Sequence, residues 1–257
     1  MKIGVCVKGV PEEEWRFKLS GTRKVVMPDE LQINPYDEFA VEEALKWKDM
    51  HPGTEVVVFL LGPDRADKVI YTALGMGADR AVHVVDEHYT GIDCYQTAKI
   101  LKEAIGAEQP DWLLTGKQST DLNNHQVGPM LAELLGWTQA MDVNELYAGD
   151  EPAKAVRMIE KGKREVVLLK RPMVIGVTKG LNSPRYPSFK NILAAKRKEI
   201  KKVPAEDLPK GKNPLNSVYV EEFMLPPQKG GCRLIGGGPR EAVNELIRIL
   251  RDVEKVI

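Results

Sequence analysis

Between a strand-like apolar run and a helix-like one, the chain carries GKQSTDLNNHQVG at residues 116–128. This stretch concentrates side chains able to hold a ligand. Gly116 leaves room for a close backbone approach. Asp121, Asn123 and Asn124 offer acceptors and amides suited to a ribose or a base. Gln126, Val127 and Gly128 open a helix whose free N–H groups suit a phosphate. Together they point to nucleotide binding, and the competing reading is an ordinary polar loop joining a strand to a helix.

Other chemistries find little support. The loop lacks the Gly-x-x-x-x-Gly-Lys-Ser/Thr phosphate cradle, and no G-x-G-x-x-G follows the first strand. Gly236-Gly237-Gly238 lies late in the chain and reads as a hinge. His51, His83, His88 and His125 form no ligand pair of His-Glu-x-x-His type, and Ser119-Thr120-Asp121 has no histidine base beside it in sequence. Cys6, Cys94 and Cys232 are far apart and odd in number, against a disulfide framework or a zinc site. No catalytic residue and no metal ligand is expected. Glu165 begins an apolar strand, where a surface carboxylate is the ordinary explanation.

The elements that must position the loop alternate regularly. Residues 2–8 read as a buried first strand, ended by Gly9, Val10 and Pro11. Gly21-Thr22 separates two segments that could pair as a hairpin. A helix starts after Asn34-Pro35-Tyr36-Asp37, with Asn34 or Asp37 as its N-cap. Strands at 55–61, 81–85 and 112–115 alternate with helices ending near 76, at 93–107 and at 127–135. Strands this apolar, with helices between them, imply a parallel sheet covered on both faces. Right-handed crossovers make it a doubly wound α/β fold. In such a fold ligands bind beyond the carboxyl ends of the strands. That singles out Lys8-Gly9, Leu61-Gly62-Pro63 and residues 116–128.

Beyond Gly136 the pattern changes. Residues 143–148, 155–159 and 165–169 suggest an antiparallel edge, and 173–178 return to buried-strand composition. A helix is expected at 191–198. Residues 199–232, rich in proline, read as an extended arm able to wrap a partner, and 239–253 as a closing amphipathic helix. The division is thus an α/β nucleotide-binding domain over 1–198, then the arm and C-terminal helix over 199–257.

Lys+Arg and Asp+Glu are equal at 37 each, so the electrostatic footprint of a nucleic-acid partner is absent. The opening MKIGVCVKGV turns polar too quickly for a signal peptide or a membrane insertion. A cytoplasmic location is expected by default.

Five ordered segments resemble the beta subunits of electron-transfer flavoproteins over nearly the whole chain. They are VCVKGVP, INPYDEFAVEEALKWK, TALGMGADRAVHV, LLTGKQSTDLNNHQVGPMLAELLGW and MVIGVTKGLNSPRYPSFKNILAAKRKEI. The resemblance implies a fold akin to adenine-nucleotide alpha hydrolases, and a heterodimer whose larger alpha subunit carries most of the FAD site. It implies that this chain binds AMP or, in electron-bifurcating members, a second FAD. By position, its nucleotide contacts fall on Cys6, Lys8, Asn34, Leu61, Gly62, Gly116, Lys117, Gln118, Asp121, Asn124, Gln126, Val127 and Gly128. Leu122 and Asn124-His125 depart from the family's usual residues. The same resemblance places partner docking on Arg185, Tyr186, Phe189, Lys190, Ile192 and Lys196, and a subunit- or flavin-proximal carboxylate on Glu165.

The expected role is an electron carrier, with an acyl-CoA-type or other flavin dehydrogenase as donor and a quinone-linked oxidoreductase as acceptor. A second version is a bifurcating subunit using NADH. From another class comes a stand-alone nucleotide-binding stress-type protein, whose late Gly-Ser/Thr phosphate loop is lacking.

Overall fold

The computed structural model describes residues 1–12, 14–15, 18–20, 25–149, 152–209, 218, 220–225, 227 and 230–257. The chain forms two compact units, Met1–Glu221 and Glu222–Ile257.

In the first unit, β1 (Lys2–Val7) lies at the middle of a nine-stranded sheet. On one side β1 pairs in parallel with β4 (Glu55–Gly62), then β5 (Arg80–Val85), then β11 (Ile200–Pro204). On the other side come β6 (Trp112–Gly116), β10 (Met173–Val177) and β7 (Thr138–Tyr147), also parallel. Antiparallel β8 (Ala153–Met158) and β9 (Arg164–Leu169) complete that edge. A separate two-stranded ladder joins β2 (Gly9–Val10) to β3 (Gln32–Ile33).

The sheet is doubly wound, as the alternation of apolar strands and helices implied. α1 (Pro35–Met50) and α2 (Asp67–Met76) cover one face, packing Val41, Leu45, Val69 and Ile70 on Ile3, Val5, Val58 and Leu60. α3 (Cys94–Glu108) and α4 (Val127–Leu135) cover the other with Leu101, Ile105 and Leu131 on Val57, Phe59 and Leu113. Each such large apolar side chain contributes about 1.5–3 kcal/mol on burial. β4 is buried on both faces, which explains its unbroken EVVVFLLG composition.

Several expected boundaries move. β7 starts at Thr138, directly after α4, because it is a parallel member of the sheet before it turns into the antiparallel edge. Its ladder with β10 is interrupted between Ile175 and Val177, where Asp142 adopts φ 61°. The helix expected at 191–198 is α5 (Phe189–Ala195), started two residues earlier by Ser188, whose hydroxyl accepts the Asn191 N–H at 3.2 Å. Residues 200–204, read as part of an arm, instead form β11. Hydrogen bonding to β5 offsets their lack of apolar periodicity. Leu19 and Val25 form an antiparallel bridge, while the expected turn Gly21-Thr22 lies outside the described residues. Much of the expected 199–232 arm lies outside them too.

In the second unit, α6 (Pro239–Arg248) continues into a wider turn at Ile249–Val253. Proline occupies its first position, and Glu241 accepts the Gly238 N–H at 3.0 Å. Its apolar residues Val243, Leu246 and Ile247 are exposed.

Candidate functional site

From β1 the chain runs outward to β4 and β5, then crosses back to β6 on the other side of β1. The carboxyl ends of β1 and β6 therefore flank the crevice where strand order reverses. Lys8 leaves one end and residues 117–126 leave the other.

A buried carboxylate holds the two ends together. Asp37 lies in the first turn of α1 and is only 5% exposed. Its Oδ2 accepts the Lys8 N–H at 2.8 Å and its Oδ1 the Gly116 N–H at 3.1 Å. Burial pushes this carboxyl up from 3.8 to about 7, against the opposing pull of Asn34 and of those two N–H groups. Gly116 was assigned to a ligand's approach; the neighbours it makes room for are Asp37 and Tyr36. A Cβ there would overlap Asp37 Oδ1 and come within 2.8 Å of Tyr36 Cβ. Gly116→Ala should therefore lower stability by about 1–3 kcal/mol, seen as an earlier urea midpoint. An unchanged midpoint would rule out this close packing.

Asn34 secures the loop. Its amide donates to Gln118 O at 2.8 Å, and its Oδ1 accepts the Thr120 N–H at 3.2 Å. Asn34 takes the N-cap position of α1, one of the two residues expected there, while Asp37 lies inside the first turn; Asn34 makes no side-chain cap bond, its side chain being engaged by the loop. Lys8 Nζ reaches both Asp121 oxygens, at 2.8 and 2.7 Å, and Ser119 Oγ at 3.3 Å. Gln118 donates to Asn123 Oδ1 at 2.7 Å, and Asn124 donates to Cys94 Sγ at 3.2 Å. Lys117 pairs with Asp142 at 3.2 Å and lies over the Tyr36 ring.

The loop ends at α4. Gln126 sits at its cap position without a side-chain cap, so the Val127 and Gly128 N–H groups form an open end. Thr115 Oγ, buried and without a hydrogen-bond partner among the described residues, lies against Gly128. Cys6 and Leu61 sit below, in the core facing α3 and α4. Burial first, then the Asp37 charge, pushes the Cys6 thiol up. Gly62 O accepts the Asp86 N–H at 2.9 Å, joining the loops after β4 and β5. Lys8, Asn34, Gly116, Gln118 and Asp121 thus form one bonded cluster, with Gln126, Val127 and Gly128 at the head of α4.

Glu165 is elsewhere, on edge strand β9, paired with Arg157. The 185–196 segment lies on the α1 and α2 side. Arg185 is tied to α1: its N–H and Nε reach Glu42 Oε2 at 3.0 and 2.8 Å, and it also reaches Asp49 at 2.8 Å. Asn182 donates to Phe39 O at 3.0 Å. Beyond this strap, Tyr186 is 97% and Phe189 78% exposed. Lys190 and Lys196 are exposed as well. Ile192 is half-buried against α2, where a Cβ on Gly75 would come within 3.2 Å of it.

Asp37 as a tie between strands, Thr115 and Asp142 escaped sequence reasoning. An acid in a first helical turn signals only a favourable helix end; the partners of Asp37 lie 29 and 79 residues away. Among the described residues, no group of His, Cys, Asp and Glu could hold a metal ion, and no helix is long and apolar enough to cross a membrane.

Residues 23–208 match the model of the electron transfer flavoprotein domain. The chain is 40% identical over 202 residues to electron transfer flavoprotein subunit beta of Bradyrhizobium diazoefficiens, covering 78% of this chain and 80% of that one. Against the subunit beta of Bacillus subtilis the identity is 34% over 227 residues, 88% of each chain. Against the mitochondrial subunit beta of Oryza sativa subsp. indica it is 36% over 261 residues, covering both chains fully.

Proposed function

The chain belongs to the electron transfer flavoprotein beta-subunit family, and we propose that it pairs with an alpha subunit and binds AMP in the crevice between β1 and β6. The observation that carries this reading is the bonding of Lys8 and Asn34 to the 116–128 loop, which runs into the open end of α4.

The residues present fit an adenine nucleotide. Val127 and Gly128 N–H groups suit its phosphate. Lys8 supplies a cation, and Asp121, Gln118 and Asn124 supply partners for ribose or base. The Thr115 hydroxyl, which lacks a partner among the described residues, adds a donor at the same helix end. In the heterodimer this chain helps hold an FAD lying mostly in the alpha subunit. When bound, that flavin supplies the electron-accepting and electron-releasing chemistry. The chain's own part is to bind, to orient and to fix distance. A flavin dehydrogenase is the proposed donor, a quinone-linked oxidoreductase the acceptor, and the cytoplasm the proposed location.

The strap from Leu181 to Arg185 supports a docking role for the residues after it. It holds the backbone while leaving Tyr186 and Phe189 bare beside Lys190 and Lys196. An exposed aromatic ringed by cations suits an acidic, partly apolar surface. Phe189→Ala should slow flavin reduction by a partner dehydrogenase about tenfold or more, at an unchanged unfolding temperature. An equal rate at limiting dehydrogenase would remove Phe189 from the interface.

Cofactor content tests the whole reading. The heterodimer, purified and denatured, should release one FAD and one AMP. Two FAD and no AMP would make the nucleotide here a working flavin, as in a bifurcating subunit. A lone chain retaining ATP and no flavin would overturn both.

A further inference from the structure

The loops after β4 and β5 are bonded to each other, and the second carries a buried polar atom that no described residue satisfies. The phenol oxygen of Tyr89 is buried and has no hydrogen-bond partner among the described residues. Tyr89 begins a short turn, Tyr89–Gly91, in the loop following β5. That loop is bonded to the end of β4 through Asp86 N–H to Gly62 O at 2.9 Å, and through Asp64 N–H to Glu87 at 2.8 Å. α3, which follows, receives the Asn124 amide on Cys94 Sγ at 3.2 Å. Tyr89 thus belongs to a third wall of the crevice.

Charge narrows what the hydroxyl would meet. Burial holds the phenol above its ordinary range, and the charges of Arg65, Asp121 and Glu87 all reach it. Arg65 opposes the two carboxylates and pairs with Glu87, and Asp121 is paired with Lys8, so these charges call for no further ion at the hydroxyl. An uncharged ring nitrogen or ribose oxygen is suited. A buried hydroxyl without a partner costs folding free energy, and native proteins retain such groups chiefly where function uses them. The indole N–H groups of Trp47 and Trp112 also lack partners. Trp112 opens β6 at the amino-terminal edge of the sheet and packs on Trp47, away from the crevice. Thr115 Oγ faces Gly128. Tyr89 is the hydroxyl in that set contributed by the loop after β5.

We propose that Tyr89 donates its phenol O–H to the base or ribose of the nucleotide in the β1–β6 crevice, making it a selectivity residue contributed by the loop after β5. The assignment rests on the nucleotide reading above and adds a residue outside the 116–128 loop.

Tyr89→Phe, made in the full heterodimer and stripped of nucleotide, provides the test. AMP and adenosine should both bind about 3- to 10-fold more weakly than to wild type. The nucleotide-free variant should unfold no earlier than wild type, because it loses only an unsatisfied group. A structural hydroxyl would give the opposite sign in that second measurement, and earlier unfolding overturns the proposal. Equal AMP affinity in variant and wild type overturns it as well. A loss seen with AMP but not adenosine would place the hydroxyl on phosphate and overturn the base-or-ribose assignment. If wild type binds neither AMP nor FAD, the nucleotide reading itself fails, and that result is distinguishable from the others.

Discussion

Asp37→Ala should destabilise the chain by about 2–6 kcal/mol, since the Lys8 and Gly116 N–H groups each lose an acceptor in a buried place. The ends of β1 and β6 would separate at the point where they frame the crevice. Nucleotide retention should therefore fall along with stability. Urea unfolding and nucleotide release measured on the same samples provide the check. A variant as stable as wild type would show that the carboxylate ties nothing together.

The same residue has a pH signature of definite sign. Burial raises the folded-state carboxyl from 3.8 to about 7. Between those values the folded chain keeps a proton that the unfolded chain has released. The Asp37 contribution is fully present below about pH 4 and is lost as pH rises through about 7. The rise corresponds to about 4 kcal/mol. Asp37→Asn cannot titrate, so its stability should fall less than wild type between pH 4 and 7. Parallel profiles would mean that Asp37 is ionised throughout.

Arg185→Met should cost about 2–3 kcal/mol, reduced from the value for a fully buried pair because Arg185 is partly exposed. The loss comes from Glu42, which is 6% exposed and would keep a buried charge without its guanidinium. Adding Glu42→Gln should restore most of the stability, because the stranded charge goes too. Docking should respond differently. Both variants release the strap that holds Tyr186 and Phe189, so dehydrogenase-driven reduction should stay slow even where stability returns. Recovery of both together would separate Arg185 from the docking segment.

These effects follow unevenly from what the sequence displays. β1, β4, β5, β6, β10 and α4 were legible because their apolar content is dictated locally by burial against the core. The place of the 116–128 loop was legible because its polar residues lie between two apolar elements, β6 and α4. β11 was not legible: residues 200–204 alternate poorly, and their place comes from a neighbouring strand offering free hydrogen bonds. Arg185, read as part of a docking surface, shows the same limit, since its partners Glu42 and Asp49 lie well over a hundred residues earlier.

Sequence alone determined the doubly wound fold, the polar loop after β6 and, through its motifs, the family. Those depend on composition over short windows and on ordered motifs. Only the tertiary structure decided that Asp37 joins β1 to β6, that Gly116 makes room for it, and that the loop after β5 is bonded to the end of β4. Each of these is a contact between residues distant in the chain. A carboxylate and a glycine acquire such roles only when strand order brings their partners within a few ångströms.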